Sequence, residues 1–189
     1  MAASDSDSDL VARCRAGDDS AWQALVERYS RYVHAIAVQA FRLPPDDAED
    51  VFQEVFLRVY EHLGTLRSDE ALRPWVAQLT RRCCVDRLRA DRREHPEGDA
   101  IEVEDADDAI SRLDEAFTVR LALEQLSPDC QEVLDRFFCR DQSYRTIGEE
   151  LALPPGTIAS RISRCLGKLR ERLEGRNPAP AASSERVSR

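Results

Sequence analysis

The sequence predicts an all-α protein: two small helical domains joined by a flexible acidic linker. Three observations carry that prediction. Apolar residues recur at spacings of three and four through most of the 189 residues, and no stretch alternates as a strand does. Only seven glycines stand against 33% charged residues, which fits charge-faced helices better than sheet. The charge is also unevenly placed. Residues 94–118 hold ten acidic side chains and one basic, while 1–93 hold 16 and 14 and 119–174 hold nine of each. The excess of nine in that stretch equals the whole net charge of −9. Low hydrophobicity with high net charge opposes a packed core. Residues 94–118 therefore read as a linker between domains at 10–93 and 119–174, with 1–9 and 175–189 as disordered ends.

The elements follow in order. Leu10, Val11 and Cys14 give a short first helix that Gly17-Asp18 ends. Ser20 is placed to cap the next, its hydroxyl accepting a free first-turn N–H. Trp22, Leu25, Val26, Tyr29, Val33, Ile36, Ala37 and Ala40 make that helix long and amphipathic, and Leu43-Pro44-Pro45 stops it. Asp46 or Asp47 starts the third. One apolar face there is Ala48, Val51, Val55, Val59 and Leu63; a second is Phe52, Phe56, Leu57 and Tyr60. So wide an apolar surface fits either the centre of a bundle or a helix that meets another protein. Gly64 to Arg73 reads as a loop, with Pro74 near the first turn of a fourth helix. Trp75, Val76, Leu79, Cys83 and Leu88 line that helix, which ends in Arg89 to Arg93.

Within the linker, Ile110 and Leu113 could begin a short helix. Val119, Leu123 and Leu126 mark the first helix of the second domain. Ser127-Pro128-Asp129 supplies a cap, a first-position proline and a first-turn acid for the next, whose core face is Val133, Leu134, Phe137 and Phe138. Ser143 caps a short helix carrying Ile147 and Leu151. After a turn at Ala152 to Pro154, Pro155 opens the last helix, with Ile158, Ile162, Leu166, Leu169 and Leu173 on its inner face.

No stretch approaches ~18 consecutive apolar residues, so a membrane span is not expected. The polar, acidic N-terminus lacks the pattern of a secretory signal, which leaves the cytoplasm as the expected compartment. Six cysteines include no Cys-x-x-Cys pair, and His34, His62 and His95 are scattered, so the spacing fits no zinc site. Reduced, buried thiols are expected; a redox or metal sensor, if present, belongs at Cys83-Cys84 beside the basic cluster. No cofactor and no enzymatic site is expected. A helical metalloenzyme built on Glu49, Asp50, Glu54 and His62 would need paired Glu-x-x-His motifs, which the sequence lacks.

Basic residues gather twice, at Arg81, Arg82, Arg87, Arg89, Arg92 and Arg93 and at Arg161, Arg164, Lys168, Arg170 and Arg172. Such stripes are either solvated helix faces or the footprint of a nucleic-acid binder. In the second domain the stripe lies on the last helix, after a short helix and a tight turn. That is the helix-turn-helix plan, with its second helix sized for a major groove about 12 Å wide. Arginine can donate two bonds to guanine O6 and N7, serine and threonine can bond bases or phosphates, and the helix N-terminus favours phosphate.

Ser143-Tyr144-Arg145-Thr146-Ile147-Gly148, followed by Gly156-Thr157-Ile158-Ala159-Ser160-Arg161-Ile162-Ser163-Arg164, resembles region 4 of the RNA polymerase sigma factors of the extracytoplasmic-function (ECF) group. Asp47-Ala48-Glu49-Asp50-Val51-Phe52-Gln53-Glu54-Val55-Phe56, then Trp75 and Asp86-Arg87-Leu88-Arg89, resembles region 2 of the same group. The resemblance spans about residues 10–93 and 119–173, with a linker that lacks region 3.

The resemblance implies an alternative sigma factor that binds core RNA polymerase, recognises −35 and −10 promoter elements and helps melt the −10. Glu49, Asp50, Gln53, Glu54, Phe56, Leu57 and Tyr60 match positions that dock on the clamp helices of the largest subunit. The loop before the fourth helix corresponds to a pocket for a base flipped from the −10 element, with Arg67, Ser68 and Asp69 as candidates. Gln78, Arg81, Arg82, Asp86 and Arg89 fall along the DNA-facing helix; Trp75 stacks on DNA or belongs to the core. Ser160, Arg161 and Arg164 are the main −35 candidates, with Arg145, Thr157, Ser163 and Lys168 beside them. The polymerase flap and an anti-sigma factor are further implied partners. Two positions depart from the family: Arg82 stands where Asn is frequent, and Ala159 where Lys or Arg is common. Arginine cannot accept hydrogen bonds, so the −10 preference should differ. The implied path of the linker near the RNA exit channel would suit its negative charge, which could also mimic nucleic acid. The competing reading is a helix-turn-helix regulator that binds DNA without polymerase; its first domain would be an α/β receiver, for which residues 10–93 show no strands.

Overall fold

The computed structural model describes residues 6–94 and 106–176, and every regular element among them is helical. The chain divides into two units, Met1–Phe117 and Thr118–Arg189.

In the first unit, α1 (Asp7–Arg15) starts earlier than its apolar residues alone require. Ser6 and Asp9 form a capping box, each side chain accepting from the other's backbone amide at 3.1 and 3.2 Å. Asp7 to Asp9, expected to be disordered, are therefore helical; residues 1–5 lie outside the described residues. Gly17, at φ 81°, makes the left-handed turn that follows. α2 (Asp19–Ala35) is capped by Asp18 rather than Ser20. The Asp18 carboxylate accepts from the Ser20 and Ala21 amides, and the Ser20 hydroxyl donates to it at 2.7 Å. A π-helical turn, Ile36–Ala40, extends α2, and Arg42 at φ 53° reverses the chain. α3 (Pro45–His62) begins just before the expected Asp46 or Asp47, because proline has no N–H to leave unpaired at a first position. Two 3₁₀ turns, Leu63–Thr65 and Asp69–Ala71, shape the expected loop ahead of α4 (Leu72–Glu94).

Leu10, Leu25, Tyr29, Ile36, Val55 and Leu72 are fully buried and form the centre of this unit. α4 packs on α3. The single buried polar side chain among the described residues, Thr80, donates to the Val76 carbonyl at 2.8 Å, so it carries no unpaired group into the core.

α5 (Ala106–Glu124) is the largest departure from the sequence expectation. The acidic linker is not unstructured over Ala106–Thr118, and the two short helices expected around Ile110 and Val119 are one. Residues 95–105 lie outside the described residues. The unit boundary falls inside α5, after Phe117. Ala106 and Phe117 are buried, and the Phe117 ring sits 5.1 Å from Tyr29 and 4.8 Å from Tyr32. Averaging the charge over 25 residues hid this apolar side of the segment.

In the second unit, α6 (Pro128–Leu134) opens with Ser127 at the cap position and Pro128 first, and a π-helical turn, Asp135–Cys139, extends it. α7 (Tyr144–Glu150) is capped by the Ser143 hydroxyl, which accepts from the Thr146 amide at 3.1 Å. α8 (Pro155–Arg176) follows. Its last two residues overlap the expected tail, whose remainder lies outside the described residues. Leu126, Val133, Leu134, Ile147, Ile158 and Ile162 form the core together with Cys130 and Cys165. Three expectations fail here. Phe138 and Leu166, assigned to inner faces, are 59% and 39% exposed. Cys130 and Cys165 are joined in a disulfide, Cα–Cα 5.4 Å, rather than reduced.

Cys14, Cys83 and Cys84 are free and buried, and Cys139 is free and exposed. Burial pushes the Cys84 thiol up to about 12 and raises Cys83 as well, which opposes the reactive thiolate a sensor at that pair would need. Among the described residues no group of three or more His, Cys, Asp or Glu side chains could hold a metal ion.

Candidate nucleic-acid interface

Backbone geometry decides which of the predicted residues meet. At about 100° per residue, Trp75, Gln78, Arg82, Asp86 and Arg89 share the outer face of α4, and Arg81 lies on one edge of it. The loop before α4 rises beside this face. Together they enclose a pocket of about 460 Å³, lined by Arg67, Ser68, Trp75, Gln78 and Arg82 among others. Five predicted residues thus converge on one cavity. Trp75 is half-buried, with part of its surface lining this cavity.

The other predicted residues of this group are drawn elsewhere. Asp69 does not line the pocket. Its carboxylate accepts from Arg15 at 2.6 Å, and Arg15 also donates to the Leu63 and Leu66 carbonyls at 3.3 and 2.6 Å, so α1 holds the loop in place. Arg81 Nε donates to Asp107 at 2.9 Å. Asp86 helps line a smaller cavity with Asp50, Glu54, Arg58 and Arg87, between α3 and α4. Arg89 is exposed on the next turn, 3.9 Å from Asp86.

On α3, Glu49, Gln53, Phe56, Leu57 and Tyr60 occupy a common outward sector of about 100°. Leu57 and Tyr60 are 53% and 66% exposed, and the Tyr60 ring lies 4.9 Å from Trp22. Phe56 is half-buried against Phe52 at 4.8 Å. Asp50 and Glu54 turn away from that sector: Glu54 pairs with Arg58 at 2.6 Å, and Asp50 lies 3.9 Å from Arg87. The predicted group therefore divides into an apolar, amide-bearing face and an acidic pair on the flank nearer α4, still largely exposed.

In the second unit, Thr157, Arg161, Arg164 and Lys168 form one stripe along α8, with Ser160 about 60° to its side and Ser163 about 120° round. Ile158, Ile162 and Cys165 are buried about 100° round from the stripe, which therefore runs along the flank of the helix, with Thr157 and Arg161 half-buried and Lys168 exposed. Ser160 and Arg164 are exposed; the Ser160 hydroxyl donates to the Thr157 carbonyl at 3.0 Å. Arg145 on α7 is exposed and pairs along its own helix with Glu149 at 2.9 Å. The α7–α8 turn is tight. The Leu153 amide donates to the Gly148 carbonyl at 2.8 Å, and Ala152 adopts φ 52°.

Sequence reasoning missed one surface. Val119, Leu123, Leu134, Phe138, Leu166 and Leu169 line an apolar groove of about 460 Å³ in the second unit. The signal was present: Phe137 and Phe138 cannot both face one core, and Phe137 takes the inner place, stacked on Tyr144 at 4.9 Å.

The comparisons with known proteins match these two units separately. The model of Sigma-70 region 2 matches residues 25–94, and that of Sigma-70, region 4 matches residues 122–171. The chain belongs to the sigma-70 family of RNA polymerase sigma factors, in its ECF group. The ECF RNA polymerase sigma factor SigM of Mycobacterium tuberculosis is 28% identical to it over 164 residues, covering 87% of this chain and 83% of its own. The RNA polymerase sigma-H factor of Pseudomonas aeruginosa is 28% identical over 178 residues, covering 87% and 92%. The ECF RNA polymerase sigma-E factor of Escherichia coli is 28% identical over 169 residues, covering 82% and 87%. This sigma factor thus carries region 2 in its first unit and region 4 in its second, the two modules of an alternative sigma factor that starts transcription. The reading as a regulator independent of polymerase is not favoured, since every regular element among the first unit's described residues is helical and the unit matches region 2. Among those residues no helix of the sigma factor is long and apolar enough to cross a membrane.

Proposed function

We propose that this sigma factor engages core polymerase through the outward sector of α3, reads the −10 element at the α4 pocket and reads the −35 element with the α8 stripe. The convergence of Arg67, Ser68, Trp75, Gln78 and Arg82 on one cavity carries this reading. A flipped base gives up a few kcal/mol of stacking and pairing, and a pocket with an aromatic wall and several donors can offset that. Gln78 has both a donor and an acceptor for a base edge, while Arg82 offers donors alone.

Leu57 and Tyr60 supply the exposed apolar area, and Glu49 and Gln53 the polar rim, that suit docking against the clamp helices of the largest subunit. Asp50 and Glu54, exposed on the adjoining flank, extend the polar rim of this docking face, with Glu54 also holding Arg58. The groove lined by Phe138 and Leu166 suits an apolar element of the polymerase flap. An anti-sigma factor would control access by covering these same faces, and the site of action is the cytoplasm. The protein's own contribution is recognition and melting, with the polymerase as the catalyst.

Run-off transcription with core polymerase and a library of promoter sequences tests this directly. Initiation from templates sharing spaced −35 and −10 sequences is the expected result. No initiation, or initiation indifferent to both elements, would overturn it.

A further inference from the structure

The region 2 unit carries its own acidic helix against its basic one. Residues 106–117 of α5 belong to this unit, with Phe117 packed on Tyr29 and Tyr32 at one end and Ala106 buried at the other. Asp114, half-buried, accepts from the Tyr32 hydroxyl and lies 3.6 Å from Arg73 Nε. One end further along, Asp107 accepts from Arg81 Nε at 2.9 Å. The spacings agree: Arg73 to Arg81 spans about 12 Å of helix and Asp107 to Asp114 about 10.5 Å. The two helices therefore run antiparallel, an arginine row on α4 against an aspartate row on α5.

The two pairs differ in kind. Asp114 belongs to an anchor with Tyr32 and Phe117. The Asp107 side chain is 74% exposed and that of Arg81 37% exposed, and an ion pair so wet is weak and easily exchanged. Arg81 sits on the edge of the α4 face that carries the pocket.

We propose that Asp107 is an internal competitor for promoter DNA: in the free protein its carboxylate takes the place of a backbone phosphate on Arg81, and DNA must displace it to recruit that arginine. The anchor keeps the carboxylate at hand, so release of DNA restores the pair. The inference rests on the reading of α4 as the −10 surface.

Binding of a short, labelled single-stranded DNA of mixed sequence to the full chain tests it, by fluorescence anisotropy at low salt. Asp107→Asn should tighten binding about two- to fivefold, the range a surface ion pair represents. Asp107→Glu, which keeps the charge, should stay at the wild-type value. Asp108→Asn removes the same charge from the exposed neighbouring position and should change binding less. In an Arg81→Ala background the gain from Asp107→Asn should vanish. Equal gains from Asp107→Asn and Asp108→Asn, a gain that survives Arg81→Ala, or no gain at all would each overturn the proposal. Run-off transcription with the same wild-type preparation separates this from the reading beneath it. If wild type initiates while Asp107→Asn leaves DNA binding unchanged, only the competitor is wrong; if wild type fails to initiate, the −10 assignment fails with it.

Discussion

Substituting Gly148 with alanine sets two effects of opposite sign against each other. Gly148 lies within α7, and alanine is favoured over glycine in a helix by about 1 kcal/mol. On propensity alone the variant is more stable. The turn between α7 and α8 says otherwise. A Cβ at Gly148 would come to 2.5 Å from the Leu153 carbonyl oxygen and 3.5 Å from the Pro155 nitrogen, both backbone atoms. Leu153 cannot simply retreat, because its amide donates to the Gly148 carbonyl at 2.8 Å. Crowding of this kind costs about 1–3 kcal/mol, and a weakened hydrogen bond adds about 0.5–1.5 kcal/mol. Subtracting the propensity gain leaves a net loss of about 0.5–3.5 kcal/mol. At about 4–8 °C per kcal/mol in a domain this small, that lowers the midpoint of the second unit's melting by roughly 2–28 °C. Gly167 is the matched control: it also lies inside a helix, with nothing within 4 Å of its added Cβ, so Gly167→Ala should gain up to about 1 kcal/mol. Thermal unfolding followed by circular dichroism compares the two. If Gly148→Ala raises the midpoint as Gly167→Ala does, the turn has slack and the close approach constrains nothing.

Three further outcomes are expected. Arg164→Ala should weaken −35-dependent initiation by about 1–3 kcal/mol if the guanidinium makes a bidentate base contact; an equal loss on templates with scrambled −35 sequence would reassign it to phosphate. Iodoacetamide should modify exposed Cys139 in the native protein and leave Cys84, buried and pushed up to about 12, unmodified until denaturant is added; a native-state adduct at Cys84 found by mass spectrometry would contradict that burial. Hydrogen bonds from Ser20 first, and then from Arg13, lower Asp18 from the ordinary 3.8 to about 2. A carboxylate with a depressed pKa stabilises fully above its unfolded value and loses that contribution as pH falls toward its folded one. The α2 cap should therefore weaken between about pH 4 and pH 2, and Asp18→Asn should flatten the melting profile across that window.

Helix placement was legible because burial follows the three-four rhythm. Val51, Val55 and Val59 are inside as their spacing requires, and so are Ile158 and Ile162. Helix starts were less legible, since a cap depends on which of several neighbouring polar groups wins: Asp18 displaces Ser20, and Pro45 precedes Asp46. The acidic segment was misread for a different reason. Composition averages a window, whereas packing needs only a few apolar side chains on one face, and here Ala106 and Phe117 suffice. Site residues were legible as types but not as assemblies. Arg67 and Gln78 meet across a loop, while Asp69, one residue past Ser68, faces α1 instead. Rotation about a helix axis separates Ser163 from Arg164 in the same way. The disulfide was beyond sequence reasoning, because Cys130 and Cys165 lie 35 residues apart and six cysteines allow many pairings.

Arg15 lies upstream of residue 25, where the match to region 2 begins, yet it supplies three of the bonds that fix the loop walling the α4 pocket. A fragment trimmed to the recognisable module would keep every residue that lines the α4 pocket and lose the bracket that shapes the cavity around them. Experiments on isolated region 2 should therefore start the chain at or before Ser6, so that α1 retains its cap.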